Sequence, residues 1–159
     1  MRITAQEEYG LRCLLQIARA PAGFATIHEI ASRESLTVAY VGKLMRILRR
    51  GGLVASIRGQ KGGYRLARLA EEIDVATVVK VLGGPLYSKD FCGRHAGDDA
   101  TCVHDGDCSV RSLWSGLERL IQGALAQTKL RDLLCSERSM AGFVRFRLGA
   151  PPTALPRIS

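Results

Sequence analysis

Between Thr26 and Leu66 the chain combines two capped, apolar-striped segments with a glycine-rich hairpin run. This order constrains the fold more than any other stretch. Thr26-Ile-His-Glu29 has capping-box spacing, in which the threonine hydroxyl caps the first turn and Glu29 reaches back to the Thr26 backbone. A short helix therefore opens there and runs to about Arg33, with Ile27, Ile30 and Ala31 facing inward. Thr37 has the place of the next cap. Val41, Leu44, Met45 and Leu48 form the buried stripe of that helix, Tyr40, Lys43, Ile47 and Arg50 form another face, and Gly51-Gly52 stops it. Leu53, Ala55 and Ile57 then alternate weakly with Val54, Ser56 and Arg58. Gly59-Gln-Lys-Gly-Gly63 offers three glycines with the positive-φ freedom of a hairpin tip, and Tyr64-Arg-Leu66 returns. Two short helices around a tight turn, the second basic outside, read as a helix-turn-helix, and the basic hairpin reads as its wing.

The flanks extend this frame. Thr4-Ala-Gln-Glu7 is another capping box, opening a first helix whose apolar stripe is Leu11, Leu14, Leu15 and Ala18 and which ends at Pro21 and Gly23. Glu8 falls at the edge of that stripe, where a carboxylate is costly to bury unless it is paired or ligated. An ion pair with Arg12, or exposure, is the simpler expectation. Asp74 caps a helix carrying Val75, Val78, Val79 and Leu82, closed by Gly83-Gly84-Pro85. After Cys108 a longer helix carries Val110, Leu113, Trp114, Leu117, Leu120, Ile121, Ala124 and Leu125 in steps of three and four, a seam suited to a subunit interface. Leu130, Leu133 and Leu134 predict a further short helix, and the proline-rich run from Gly149 a disordered tail. The expected fold is mostly α with a small β-hairpin: a winged helix-turn-helix plus a long dimerisation helix. Residues 1–83 would form the DNA-binding domain, 84–108 a cysteine loop, 109–148 the dimerisation and C-terminal helices, and 149–159 the tail.

Charge separates these parts. Residues 1–70 hold 12 Lys and Arg against 4 Asp and Glu, whereas residues 71–159 hold 11 of each. All of the net +8 therefore sits in the N-terminal half, which points to a polyanion partner, double-stranded DNA first. In a helix-turn-helix the N-terminal part of the second helix enters the major groove. The candidate readers are Thr37, Ala39, Tyr40 and Lys43, with Arg46, Arg49 and Arg50 nearer the backbone and Arg58, Gln60 and Lys61 reaching from the wing. The glycine run is not a nucleotide cradle, because it lacks G-x-x-x-x-G-K-[ST] and no helix starts directly after it. No substrate-pocket signature suggests an enzyme. No apolar run approaches the roughly 18 residues of a membrane span, and the N-terminus lacks the apolar centre of a signal peptide. The expected location is the cytoplasm.

The remaining constraint is Cys92-Gly-Arg-His-Ala-Gly-Asp-Asp-Ala-Thr-Cys102-Val-His-Asp-Gly-Asp-Cys108. Val103 is its only sizeable apolar side chain, so something other than a hydrophobic core must hold it. The chain has 5 cysteines, an odd number that fits a disulfide framework poorly. Cys13 and Cys135 lie in helical, apolar contexts that suit buried core thiols. The other three could bind zinc, hold an iron–sulfur cluster, form a redox disulfide, or be incidental. Zinc usually takes paired C-x2-4-C knuckles, absent here, whereas iron–sulfur clusters accept varied spacing and non-cysteine ligands. A fourth donor could come from Glu8, His95, His104, Asp98, Asp99, Asp105 or Asp107.

Several phrases together resemble the IscR/NsrR family of iron–sulfur transcription regulators over roughly residues 1–135. They are Met1-Arg-Ile-Thr, Leu36-Thr-Val-Ala-Tyr40, Gly52-Leu-Val-Ala-Ser-Ile-Arg-Gly-Gln-Lys-Gly-Gly-Tyr64, and Cys92, Cys102 and Cys108 before a Trp-containing helix. The resemblance implies a homodimer with N-terminal winged-helix domains, crossed long helices, and a cluster near the subunit interface. It implies ligation by Cys92, Cys102 and Cys108. One branch adds a histidine three residues after the last cysteine, where this chain has Arg111; the other adds a carboxylate matching Glu8, from the partner subunit. The first cysteine gap is also longer here than in many members. The function so implied is a DNA-binding regulator, a repressor, whose operator affinity is set by a 2Fe–2S or 4Fe–4S cluster sensing redox state, nitric oxide or iron and cluster supply. A cluster-free thiol- or zinc-switched regulator is the alternative, and an iron–sulfur electron-transfer protein the more distant one.

Overall fold

Helix α1, Ala5–Arg19, starts on the expected cap: the Glu7 N–H donates to Thr4 Oγ at 3.2 Å, and the Thr4 N–H donates back to the Glu7 carboxylate at 2.7 Å. The computed structural model of the protein describes residues 3–59, 62–85, 87, 91–94, 102–104 and 106–149. Gln60, Lys61, His95, Asp98, Asp99, Asp105 and nearly all of the expected tail, residues 150–159, lie outside the described residues. Helix α2, Ile27–Glu34, has the Thr26–Glu29 capping box, and α3, Val38–Arg50, is capped by Thr37. The stripe Val41, Leu44, Met45 and Leu48 is fully buried.

The deepest line of α1 differs from the expected one. Gly10, Cys13, Leu14 and Ile17 are buried, while Leu11, Leu15 and Ala18 are only half-buried. The cause is α4, Val75–Gly83, which packs Leu82 onto Gly10 so closely that an added methyl there would stand 2.5 Å from it. A glycine is thus part of the buried ridge. Glu7 lies in phase with that ridge and is 8% exposed. Glu8 is rotated away from it and pairs with Arg12 at 2.7 Å, both side chains about half exposed at 47% and 51%. The ion pair and exposure, not burial, describe Glu8 in the single chain.

Strands β1, Val54–Ile57, and β2, Gly63–Leu66, pair antiparallel with Val54 opposite Leu66 and Ile57 opposite Gly63. Strand alternation is imperfect, since Leu53 and Val54 are both buried. Ala25 adds a rung: its N–H donates to Tyr64 O at 3.0 Å and its carbonyl accepts from the Tyr64 N–H at 2.9 Å. Of the three wing glycines only Gly59 has a positive φ, at 125°. Gly63 is needed for a different reason, because a Cβ there would lie 2.7 Å from the Ala25 carbonyl oxygen.

Beyond α4 come a four-residue turn of helix, α5 (Phe91–Arg94), and the long α6, Ser109–Gln127. A 3-10 turn, Leu130–Leu134, and α7, Glu137–Arg147, follow. The chain returns to the N-terminal core through backbone pairing, with the Val75 N–H donating to Thr128 O at 2.9 Å and the Leu130 N–H to Ile73 O at 2.8 Å. Leu130 is fully buried in the same core as Leu14, Leu44 and Ile73. Cys13 is buried as expected, but Cys135 is exposed. The expected helix there is a tight 3-10 turn that ends at Leu134, so Cys135 falls after it, outside the buried stripe.

Two measurements follow from this packing. Glu7→Ala removes a buried carboxylate that accepts the Thr4 N–H and should cost about 1–2 kcal/mol in denaturant unfolding, whereas Glu8→Ala, losing an exposed pair, should cost under about 0.5 kcal/mol. Burial pushes the Cys13 thiol up from 9.0 to about 12. Its contribution to stability is then complete below the unfolded value near 9.0 and is lost as pH rises toward about 12. In the native protein at pH 8, mass spectrometry should find Cys135 alkylated quickly and Cys13 only on unfolding.

Candidate nucleic-acid interface and cysteine site

The outer face of α3 is basic and open. Lys43, Arg46, Arg49 and Arg50 are exposed, as is Arg58, which follows β1 into the loop of the wing. Thr37 and Ala39 are exposed at the helix start, although the Thr37 hydroxyl already accepts the Tyr40 N–H at 3.2 Å. Tyr40 turns back: its ring stands edge-on to Tyr9, with centroids 6.1 Å apart, and packs on the core. Its ring therefore has a packing partner in α1, which leaves the phenol edge as the part available to a groove. Val38, absent from the sequence reading of the readers, is 43% exposed in the first turn.

The three loop cysteines are free thiols and half-buried. Cys108 forms the N-cap of α6, its Sγ accepting the Arg111 N–H at 3.3 Å. Cys92 lies on the short α5, with its Sγ 3.7 Å from the Tyr87 hydroxyl. Tyr87 stacks at a tilt on Phe91, centroids 5.5 Å apart, and its backbone N–H donates to Glu118 of α6 at 3.2 Å. The phenol is held above its ordinary value of 10.0, chiefly by the hydrogen bond with Cys92, with the charges of Cys92 and Cys108 both adding. Cys92 thus lies at the tyrosine hydroxyl, while Cys108 caps the helix to which the tyrosine backbone is anchored. Beside them opens a cleft of about 460 Å³ lined by Tyr87, Arg111, Ser112, Ser115 and Arg119.

The full expected ligand set is not assembled within the single chain. Among the described residues, no three His, Cys, Asp or Glu side chains converge as a metal-binding group. Cys102 is half-buried, His104 and Asp107 are exposed, and Glu8 is engaged by Arg12 on α1. The donor chemistry nevertheless fits a thiolate-bound group: three unpaired thiols in one loop, two of them already beside an N–H or O–H hydrogen-bond partner. Tyr87 and Glu118 were missed by sequence reasoning, since they are 31 residues apart and neither carries a ligand-type spacing.

Helix α6 leaves its seam open. Val110, Leu113, Trp114, Leu117 and Leu120 are all exposed, Leu120 to 71%. The face formed by Arg111, Ser115, Glu118 and Gln122 is half-buried instead. Such a row of large apolar side chains exceeds the scattered exposure usual on a monomer. Among the described residues no helix is long and apolar enough to cross a membrane.

Comparison with known proteins assigns the chain. Residues 3–136 match the Rrf2 family, described as an iron-dependent transcriptional regulator. Protein rrf2 of Nitratidesulfovibrio vulgaris is 33% identical over 135 residues, which cover 84% of this chain and 87% of that protein. The structure of CymR, the global cysteine regulator of B. subtilis, superposes with a TM-score of 0.68 at 28% identity, covering 84% of this chain and 96% of CymR. T. potens IscR does so with a TM-score of 0.65 at 29% identity, covering 84% and 86%. With its wing, its basic second helix and this likeness over most of its length, the chain belongs to the Rrf2 family of DNA-binding transcription regulators and is not an enzyme.

Proposed function

We propose that this regulator acts in the cytoplasm as a homodimeric repressor whose affinity for a double-stranded operator is set by an iron–sulfur cluster. Cys92, Cys102 and Cys108 of one chain and Glu8 of a second copy would hold it. Residues 1–83 would read DNA, 84–108 hold the cluster, and 109–148 join the subunits. The observation that carries this reading is the position of the free thiols: Cys92 lies at the Tyr87 hydroxyl and Cys108 caps α6, a helix whose apolar face has no cover in the single chain. When bound, a 2Fe–2S or 4Fe–4S group supplies a centre responsive to redox state, nitric oxide or iron and cluster supply.

The residues of the chain account for the rest. Glu8 is exposed and tied only by a surface pair, a weak attachment that a stronger interaction can displace. It sits on α1, which packs on α3, so a load placed on Glu8 is transmitted toward the recognition helix. Thr37 and Ala39 would face base edges at the start of α3, with Tyr40 contributing from beside Tyr9, while Lys43, Arg46, Arg58, Gln60 and Lys61 would neutralise or contact phosphate. Two winged domains must match two half-sites, so a small rotation between subunits changes affinity.

Anaerobic purification followed by ultraviolet–visible and Mössbauer spectroscopy is the decisive test; a colourless, iron-free protein that still switches operator binding overturns the reading. Glu8→Ala should accelerate cluster loss, by about tenfold or more, while leaving the unfolding midpoint nearly unchanged. Operator affinity should fall steeply with salt, and Lys43→Ala should reduce the slope of log K against log salt by about 1. A second reading is favoured by the likeness to CymR and by the five free thiols: a cluster-free thiol or zinc switch. Native mass spectrometry showing a zinc mass, or a Cys–Cys bond that tracks DNA release, selects it.

A further inference from the structure

Tyr87 is the described residue that joins Cys92 to the long helix α6. Three of its groups have separate partners. The backbone N–H is held by Glu118 at 3.2 Å, the ring by Phe91, and the hydroxyl lies 3.7 Å from the Cys92 sulfur. Glu118 is itself steadied from one turn further along α6, where Gln122 Nε2 donates to its other carboxylate oxygen at 3.2 Å. The acceptor that fixes Tyr87 therefore belongs to the same helix that Cys108 caps.

With the thiol protonated, either Tyr87 or Cys92 can be the donor. A thiolate has no proton, so in that state only the phenol can donate. A hydroxyl placed there in advance limits the directions in which the Cys92 sulfur can point. Glu118 lies ten residues, about 15 Å along the helix, from Cys108.

We propose that Tyr87 is a positioning residue of the cysteine site, its hydroxyl donating to the Cys92 sulfur and its backbone anchored to α6 through Glu118. The proposal rests on the cluster reading only in taking Cys92 as a ligand. Its role is to hold the α5 sulfur at a set place relative to the α6 sulfur, so that a change at the loop is felt by the long helix.

The test uses the full-length protein in two states. In the cluster-loaded protein, Tyr87→Phe keeps the ring and the backbone anchor and removes only the hydroxyl. It should shift the sulfur-to-iron absorption bands to lower energy and speed cluster loss in air by about threefold to tenfold, with the thermal unfolding midpoint of the cluster-free form unchanged. Glu118→Ala should act in the same direction by loosening the anchor. Unaltered bands and an unaltered decay rate in Tyr87→Phe overturn the proposal. In the cluster-free protein, Tyr87→Ala should uncover Cys92 and raise its alkylation by iodoacetamide several-fold, while Cys135, remote and already exposed, reacts at its former rate. Equal Cys92 rates in wild type and variant also overturn it. Should the wild-type protein take up no cluster at all, the cluster reading fails by itself, and the alkylation ratio alone still decides whether Tyr87 holds Cys92.

Discussion

The meeting of α1 with α4 is the contact on which the arrangement depends. Leu82 closes over Gly10, the Glu7 side chain lies against Gly83, and the Gln6 side chain donates to the Leu82 carbonyl. These contacts leave no room for a side chain at Gly10 or Gly83 unless something moves, so the two helices are set at one distance and one phase. That phase decides which glutamate is buried and which is offered outward. Glu7 becomes part of the internal wiring of α1, and Glu8 becomes surface. The same contact fixes where the chain leaves α4, and hence where the cysteine loop begins.

The winged helix-turn-helix was legible because its signals are local. Thr4–Glu7, Thr26–Glu29, Thr37 and Asp74 each cap a helix within three residues, and the α3 stripe repeats within one helix. What was illegible depends on partners distant in sequence. The ridge of α1 cannot be phased without Leu82, which turns Gly10 from a neutral position into a packing surface. The rung between Ala25 and Tyr64 joins residues with no shared pattern, and it explains Gly63 by close approach where a hairpin tip suggested φ freedom. Cys135 looked apolar by context because a 3-10 turn and an α-helix share their first few side-chain positions and then diverge.

The cysteine site was legible by element type but not by geometry. Spacing and the lack of apolar neighbours singled out Cys92, Cys102 and Cys108 as candidates for work other than packing. Glu8 was singled out by helical phase, yet the burial that made it conspicuous belongs to Glu7 in the single chain. The aromatic and acidic residues around the thiols, Tyr87, Phe91 and Glu118, carry no spacing rule and emerge only once α6 is laid beside the loop.

The backbone pairing of Ile73 and Val75 with Thr128 and Leu130 has a mechanical consequence. It clamps the C-terminal end of α6 to the winged-helix body, while the N-terminal end carries Cys108 about 28 Å away along the axis. A rod held rigidly at one end and loaded at the other delivers torque at the clamp. The clamp adjoins Ile73, in the core shared with Leu44 and Leu48 of α3. A displacement of an ångström at the sulfur end would thus arrive at the recognition helix as a change of angle, with no need for α3 itself to refold.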